Sequence, residues 1–160
     1  MNLQALISAE RVCVDIAARS KKHLIELAAH KLAPCFDDVT ANQLFDAMIA
    51  RERLGCTALG RGIALPHATV ATISKPAACV LKLREPVRYG DDDEGLVTMV
   101  FALVVPSATQ GVDNDILQHA CDVLSRGERR RALLAADSEQ ALFDALAEPD
   151  DTPGLREATG

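Results

Sequence analysis

Residues 50–70 read ARERLGCTALGRGIALPHATV. A short apolar run, Gly62-Ile63-Ala64-Leu65, leads into Pro66, and His67 follows at once. Arg51 and Arg53 come just before, at the end of a helical pattern. Thr57 offers a hydroxyl, and Gly60 and Gly62 bracket Arg61 in a loop with approachable backbone N–H groups. An imidazole facing a guanidinium, a hydroxyl and free amides suits phosphoryl transfer. A neutral ring nitrogen attacks phosphorus, and the donors hold oxygens whose charge spreads in the transition state. The spacing predicts His67 in a solvent-reachable depression beside Arg51 and Thr57. One of its nitrogens should be tied to an acceptor, which fixes the tautomer and leaves the other free. The same residues also describe a Pro-His turn beside an arginine that solvates a helix end, and one histidine with one arginine does not choose between the two.

Other chemistry-bearing residues are weaker candidates. His23 and His30 lie seven apart on a helical segment and read as solvated positions. Asp91-Asp92-Asp93-Glu94 lacks the spaced oxygens and later glutamate of a calcium loop, so it reads as a charged turn. Cys56 near Arg51 has no general base beside it in sequence. Arg126, Arg129, Arg130 and Arg131 form a basic patch consistent with ordinary charged surface. No cofactor fingerprint or metal-ligand spacing is present, so neither a cofactor nor a metal is expected.

The bulk properties narrow the class. The chain has 160 residues, 49% hydrophobic and 25% charged, with net charge −6. That length suits one domain with a sizeable core. The acidic balance and 3% aromatic content argue against nucleic-acid binding. Five scattered cysteines without a CxxC pair fit reduced thiols in a cytoplasmic protein. The N-terminus has no secretory pattern, and the run MVFALVVP (99–106) is too short for membrane insertion.

The elements that must position these residues follow from periodicity. Residues 11–16 predict a short strand. Ser20 caps a helix to about Lys31, and Thr40 caps another whose stripe is Leu44, Phe45, Met48 and Ile49, stopping at Gly55. Strands are predicted within GRGIAL, at 78–83 and at 96–105, the last buried on both faces. From Val112 a helix carries Ile116, Leu117, Ala120 and Leu124, with Gly127 as its stop. Asp137 with Gln140 predicts a capping box for a last helix to about Ala147. Interleaved helices and strands predict an α/β fold: a single domain over 1–147 with a central mixed β-sheet flanked by helices on both faces. Residues 148–160 predict an acidic flexible tail.

The strings RERLGCT, LGRGIALPH, FALVVP (101–106) and LLAADSEQALFDAL (133–146) occur in order. Together they resemble the enzyme IIA domains of the phosphotransferase system, fructose/mannitol type, and look closest to the nitrogen-regulatory branch. The resemblance covers roughly residues 4–147. It implies an α/β fold with helices on both faces. It implies that His67 accepts a phosphoryl group on Nε2 from a histidine phosphocarrier protein, with Arg51 beside it. The family's serine-threonine pair falls on Cys56 and Thr57, and Glu52 follows the arginine as it does in the family. Regulatory members act through their phosphorylation state on partners such as potassium transporters or sensor kinases. No segment reads as a membrane span or a second phosphocarrier domain, which tilts the expectation toward regulation. A sugar-specific IIA component that passes phosphate to a permease domain is the alternative.

Three positions depart from the family pattern. Asp113 falls where a second histidine usually supports the phosphoryl group, Cys56 replaces a hydroxyl, and Ala68 replaces a common glycine. A carboxylate at 113 is expected to come near His67 and repel a phosphoryl dianion. These departures motivate a further alternative, a binding module that is not phosphorylated.

Overall fold

The computed structural model describes residues 3–90, 95–107 and 112–147, without the side chains of Ala9, residues 112–114 and Ala147. Asp91, Asp92, Asp93, Glu94 and residues 148–160 lie outside the described residues, as does the side chain of Asp113.

Among the described residues, six strands form one mixed sheet. They are β1 (Val12–Ile16), β2 (Ala58–Gly60), β3 (Gly62–Ala64), β4 (His67–Val70), β5 (Ala77–Arg88) and β6 (Leu96–Pro106). The order is β1-β5-β6-β3-β2, with β4 also on β6. Five α-helices accompany them: α1 (Lys21–Leu32), α2 (Ala41–Glu52), α3 (Val112–Ser125), α4 (Gly127–Ala135) and α5 (Glu139–Ala147).

Alternation along β5 and β6 divides the apolar side chains between two cores. Cys79, Leu81, Val100 and Ala102 turn toward Leu24, Ile25, Leu44 and Met48 of α1 and α2. Val80, Met99, Phe101 and Leu103 turn toward Ile116, Ala120, Leu133 and Leu142 of α3, α4 and α5. The covered stretches, Ala77–Leu81 of β5 and Met99–Pro106 of β6, are therefore continuously apolar, because helices cover both faces there.

The predicted caps hold at the first two helices. Ser20 Oγ accepts from His23 N–H, and Thr40 with Gln43 forms a full capping box. The last helix differs. Its first turn is capped by Ser138, whose Oγ accepts from Ala141 N–H at 3.1 Å, so Asp137–Gln140 is not a capping box. Serine one residue nearer the helix reaches the free amide first. The helix from Val112 does stop just before Gly127, at Ser125, but a further helix, α4, begins at that glycine. That helix buries only Leu133 and begins with Glu128 and three arginines, so its sequence has no apolar stripe to announce it. Lys82 of β5 donates to the carbonyls of Leu133, Leu134 and Ala136, which seals the C-terminal end of α4.

β5 runs past the predicted residue 83 to Arg88, through Pro86. Its pairing with β1 ends at Ile16↔Leu83, and its register on β6 shifts between Lys82 and Val87. Pro86 therefore occupies an irregular stretch beyond β1, where a missing N–H costs little.

Candidate functional site

β3 and β4 are one line of chain broken by Leu65 and Pro66. Ala64 pairs with Val100 and His67 with Leu103, at the same offset along β6. Pro66 lacks an N–H, yet its carbonyl accepts from Leu103 N–H at 3.0 Å, so the ladder continues across it. Leu65 N–H donates to the carbonyl of Thr57 at 3.0 Å. The break thus costs no register and delivers His67 to the far end of β6.

His67 is half-buried, and its Nδ1 lies 2.9 Å from the carbonyl oxygen of Leu65. A carbonyl only accepts, so Nδ1 carries the proton and the neutral ring keeps its lone pair on Nε2. Burial pushes the imidazole below its ordinary value of 6.5, and the charge of Arg51 adds to that. The Leu65 bond and the charge of Glu52 oppose it. The neutral, nucleophilic form therefore persists to lower pH than in a free histidine. Ala68 and Val70 face the α1–α2 core, so alternation turns His67 toward the other face, where α3 packs. Asp113 lies in the first turn of that helix.

Arg51 and Glu52 end α2. Arg51 Nη1 donates to the carbonyl of Gly55 at 3.0 Å, curling its side chain over the loop that follows the helix. A guanidinium has five N–H donors, so most stay available to another acceptor. Glu52 points inward, with 8% of its surface exposed. Its Oε2 accepts from Lys21 Nζ at 2.8 Å and Thr57 N–H at 2.9 Å. Its Oε1 accepts from Thr57 Oγ1 at 2.5 Å and Tyr89 OH at 3.0 Å. Burial alone would raise the carboxyl's pKa, but the bonds from Lys21 and Thr57 outweigh it and hold it below 4.5. Tyr89 is buried as well, and that burial pushes its phenol up. The Lys21 ammonium sits 4.7 Å from the centre of the Tyr89 ring.

These contacts sort the sequence candidates. Arg51, Glu52 and Thr57 come together where α2 meets the loop before β2. His67 connects to them through Leu65, whose N–H bonds the Thr57 carbonyl and whose carbonyl bonds Nδ1, and it feels the charges of Arg51 and Glu52. Thr57 is present through its backbone, while its hydroxyl turns to Glu52. Cys56 is exposed on the loop, with Sγ 3.9 Å from the Tyr89 carbonyl. The glycine loop is a correction. Gly60, Arg61 and Gly62 all have positive φ, +87°, +55° and +97°, and form the β2–β3 turn. The turn lies five residues up the strand line from His67, about 16 Å at ~3.3 Å per residue, so its amides do not reach the imidazole. His23 accepts from Arg19 N–H, and His30 is exposed. Lys21 and Tyr89 carry no motif and are missed by sequence reasoning. A groove of about 550 Å³, lined by Lys21, Lys22, Phe45, Ile49, Glu52 and Arg53, flanks the cluster, and His67 does not line it.

Among the described residues no group of three or more His, Cys, Asp or Glu could hold a metal ion. No described helix is long and apolar enough to cross a membrane.

Comparison with known proteins adds an independent line. The family model "Phosphoenolpyruvate-dependent sugar phosphotransferase system, EIIA 2" matches residues 5–148. A nitrogen regulatory protein of Pseudomonas aeruginosa is 30% identical over 148 residues, 92% of this chain and 96% of the relative. The 2-O-alpha-mannosyl-D-glycerate-specific EIIABC component of Escherichia coli is 29% identical over 98% of this chain but only 24% of its own length. Among solved structures, the nitrogen regulatory protein IIA-Ntr of Neisseria meningitidis matches with TM-score 0.82 and 27% identity, covering 90% of this chain and 98% of that one. Mannitol IIA of Escherichia coli shares the fold with TM-score 0.73 at 23% identity, covering 88% of this chain and 98% of that one.

Proposed function

The chain belongs to the EIIA type 2 family of the phosphoenolpyruvate-dependent sugar phosphotransferase system, and from that premise we propose that it is a regulatory phosphocarrier whose acceptor is His67. The observation that carries the reading is the Nδ1–Leu65 bond, which leaves an Nε2 lone pair on a neutral ring. In the proposed step, Nε2 attacks the phosphorus of a phosphohistidine on a histidine phosphocarrier protein. The donor's P–N bond breaks as the new one forms, and the electron pair returns to the donor imidazole. Nδ1 keeps its proton throughout, so no tautomer change slows the transfer. Arg51 supplies the charge-assisted donors that hold the phosphoryl oxygens.

The nitrogen regulatory relatives favour the regulatory destination, with partners such as potassium transporters or sensor kinases reading the phosphorylation state. A sugar-specific role is the second reading, favoured by the match to a sugar-specific EIIABC component. Phosphate transfer to an isolated sugar-permease domain separates the two.

The test is incubation with phosphoenolpyruvate, the first enzyme of the system and its phosphocarrier, read by intact mass. One phosphate on the wild type and none on His67→Ala is the expected result. No adduct on the wild type removes the reading and favours a non-phosphorylated binding module. That alternative also expects equal partner affinity for wild type and His67→Ala.

A further inference from the structure

Glu52 is an unusual buried group. It is an anion at the C-terminal end of α2, where the helix's own carbonyls already present partial negative charge. What holds it there comes from three separate parts of the chain: Lys21 at the start of α1, Thr57 before β2, and Tyr89 just after β5. Thr57 Oγ1, Tyr89 OH and Glu52 Oε1 lie within 3.0 Å of one another. Two hydroxyl protons serve these three contacts, so each hydroxyl is committed inside the triangle.

The loop between Glu52 and Thr57 has little else to hold it. Arg53, Leu54, Gly55 and Cys56 are exposed, and Leu54 is 83% exposed. Leu54 N–H donates to the Arg51 carbonyl and Gly55 N–H to the Glu52 carbonyl, which are bonds within a single turn. The main tie to the rest of the fold runs through Thr57, pinned by Glu52 on one side and by Leu65 on the other, with a weaker one from Cys56 Sγ to the Tyr89 carbonyl. Arg51 in turn rests on Gly55. The position of the guanidinium therefore depends on a carboxylate, which depends on a lysine and a phenol that do not contact His67.

We propose that Lys21 and Tyr89 are positioning residues for phosphoryl transfer: they hold the Glu52 carboxylate, which fixes Thr57 and the 53–56 loop and so aims Arg51 at the acceptor. The proposal rests on the reading of His67 as the acceptor. Lys21 keeps Glu52 ionised in its buried place, and the Tyr89 ring carries the Lys21 ammonium on its face.

The experiment measures phosphoryl acceptance by Lys21→Met, Lys21→Arg and Tyr89→Phe, using the histidine phosphocarrier and, separately, phosphoramidate as a small donor. Amide exchange of Leu54, Gly55 and Thr57 is recorded on the same proteins. Lys21→Met is expected to slow the maximal rate about tenfold with both donors and leave KM for the protein donor unchanged. Exchange at Thr57 should speed up, and Lys21→Arg should recover most of both. Tyr89→Phe keeps the ring, so it should fold even if Lys21→Met does not, and should slow acceptance about threefold. Wild-type rates and wild-type protection at Thr57 in a folded Lys21→Met or Tyr89→Phe overturn the proposal. So does a change in KM alone, which would mark a docking effect. If the wild type accepts phosphate from neither donor, the acceptor reading fails. Amide exchange then decides whether Lys21 and Tyr89 hold the loop.

Discussion

Glu52 and Lys82 are both charged side chains drawn inward to the C-terminal end of a helix, and their signs are opposite. Lys82 donates to the last carbonyls of α4, so its charge complements the helix dipole and its three N–H groups satisfy orphan acceptors. Glu52 opposes the dipole of α2 and is tolerated because Lys21, Thr57 and Tyr89 surround it with donors. The first arrangement closes a helix and asks nothing further. The second gathers three partner residues around Glu52 and turns a loop into a fixed mount. A charge set with the helix dipole marks a stabilising device here, and one set against it marks the site.

Removing the opposed charge should have the largest effect. Glu52→Ala leaves Lys21 and three neutral donors without their acceptor and is expected to cost about 3–5 kcal/mol. Denaturant unfolding at constant m measures it. A cost below that of Lys82→Met would reverse the comparison. Next comes Arg51→Ala, which removes the proposed phosphoryl clamp and leaves the Glu52 cluster in place. Its acceptance rate should fall roughly ten- to hundredfold while stability holds, the scale of one charge-assisted bond of about 1.5–3 kcal/mol. An unchanged rate counts against the clamp. Lys82→Met should cost about 1–2 kcal/mol of stability and leave acceptance at the wild-type rate. Slowed acceptance would show that the two regions are coupled.

Acid sharpens the same contrast. The Glu52 pKa is lowered on folding, so its contribution is fully present above 4.5 and is lost as pH falls through the folded value. The stability difference between wild type and Glu52→Gln should therefore narrow in that window. His67 behaves in the same direction but in a higher pH window. Its folded pKa lies below 6.5, so the folded state favours the neutral ring and loses stability as pH falls from 6.5 toward that value. An NMR titration of the imidazole with a midpoint at or above 6.5 would contradict the burial argument. The smallest expected effect belongs to Asp113. Asp113→His should slow phosphate loss severalfold, on the scale of a screened charge repulsion of about 1 kcal/mol. A variant with the wild-type half-life would make Asp113 a bystander.

Much of the architecture was legible because it is written in local periodicity. The cap at Thr40, the stripe of Leu44, Phe45, Met48 and Ile49 and the apolar run of β6 are each complete within one segment. Pro66-His67 announced the end of a strand and an aimed imidazole, but not that the strand line resumes as β4. α4 was not legible, because its docking rests on Leu133 and on a lysine from β5 about fifty residues away. The glycine loop misled for a related reason. Its residues are near His67 in sequence, but an extended chain carries five residues about 16 Å, so proximity along a strand is distance in space.

By itself, then, the sequence determined the α/β class, most helices and strands, the family pattern and the pairing of His67 with Arg51 as candidates, since each is carried by spacing over a few residues. Only the tertiary structure decided that Glu52 turns inward, that Thr57 spends its hydroxyl on Glu52, and that Lys21 and Tyr89 join them. Glu52 and Tyr89 are 37 residues apart and belong to different elements. No pattern along the chain encodes such a contact, because it exists only once the packing of α1 and α2 on the sheet brings four polar groups to one point and excludes water from it.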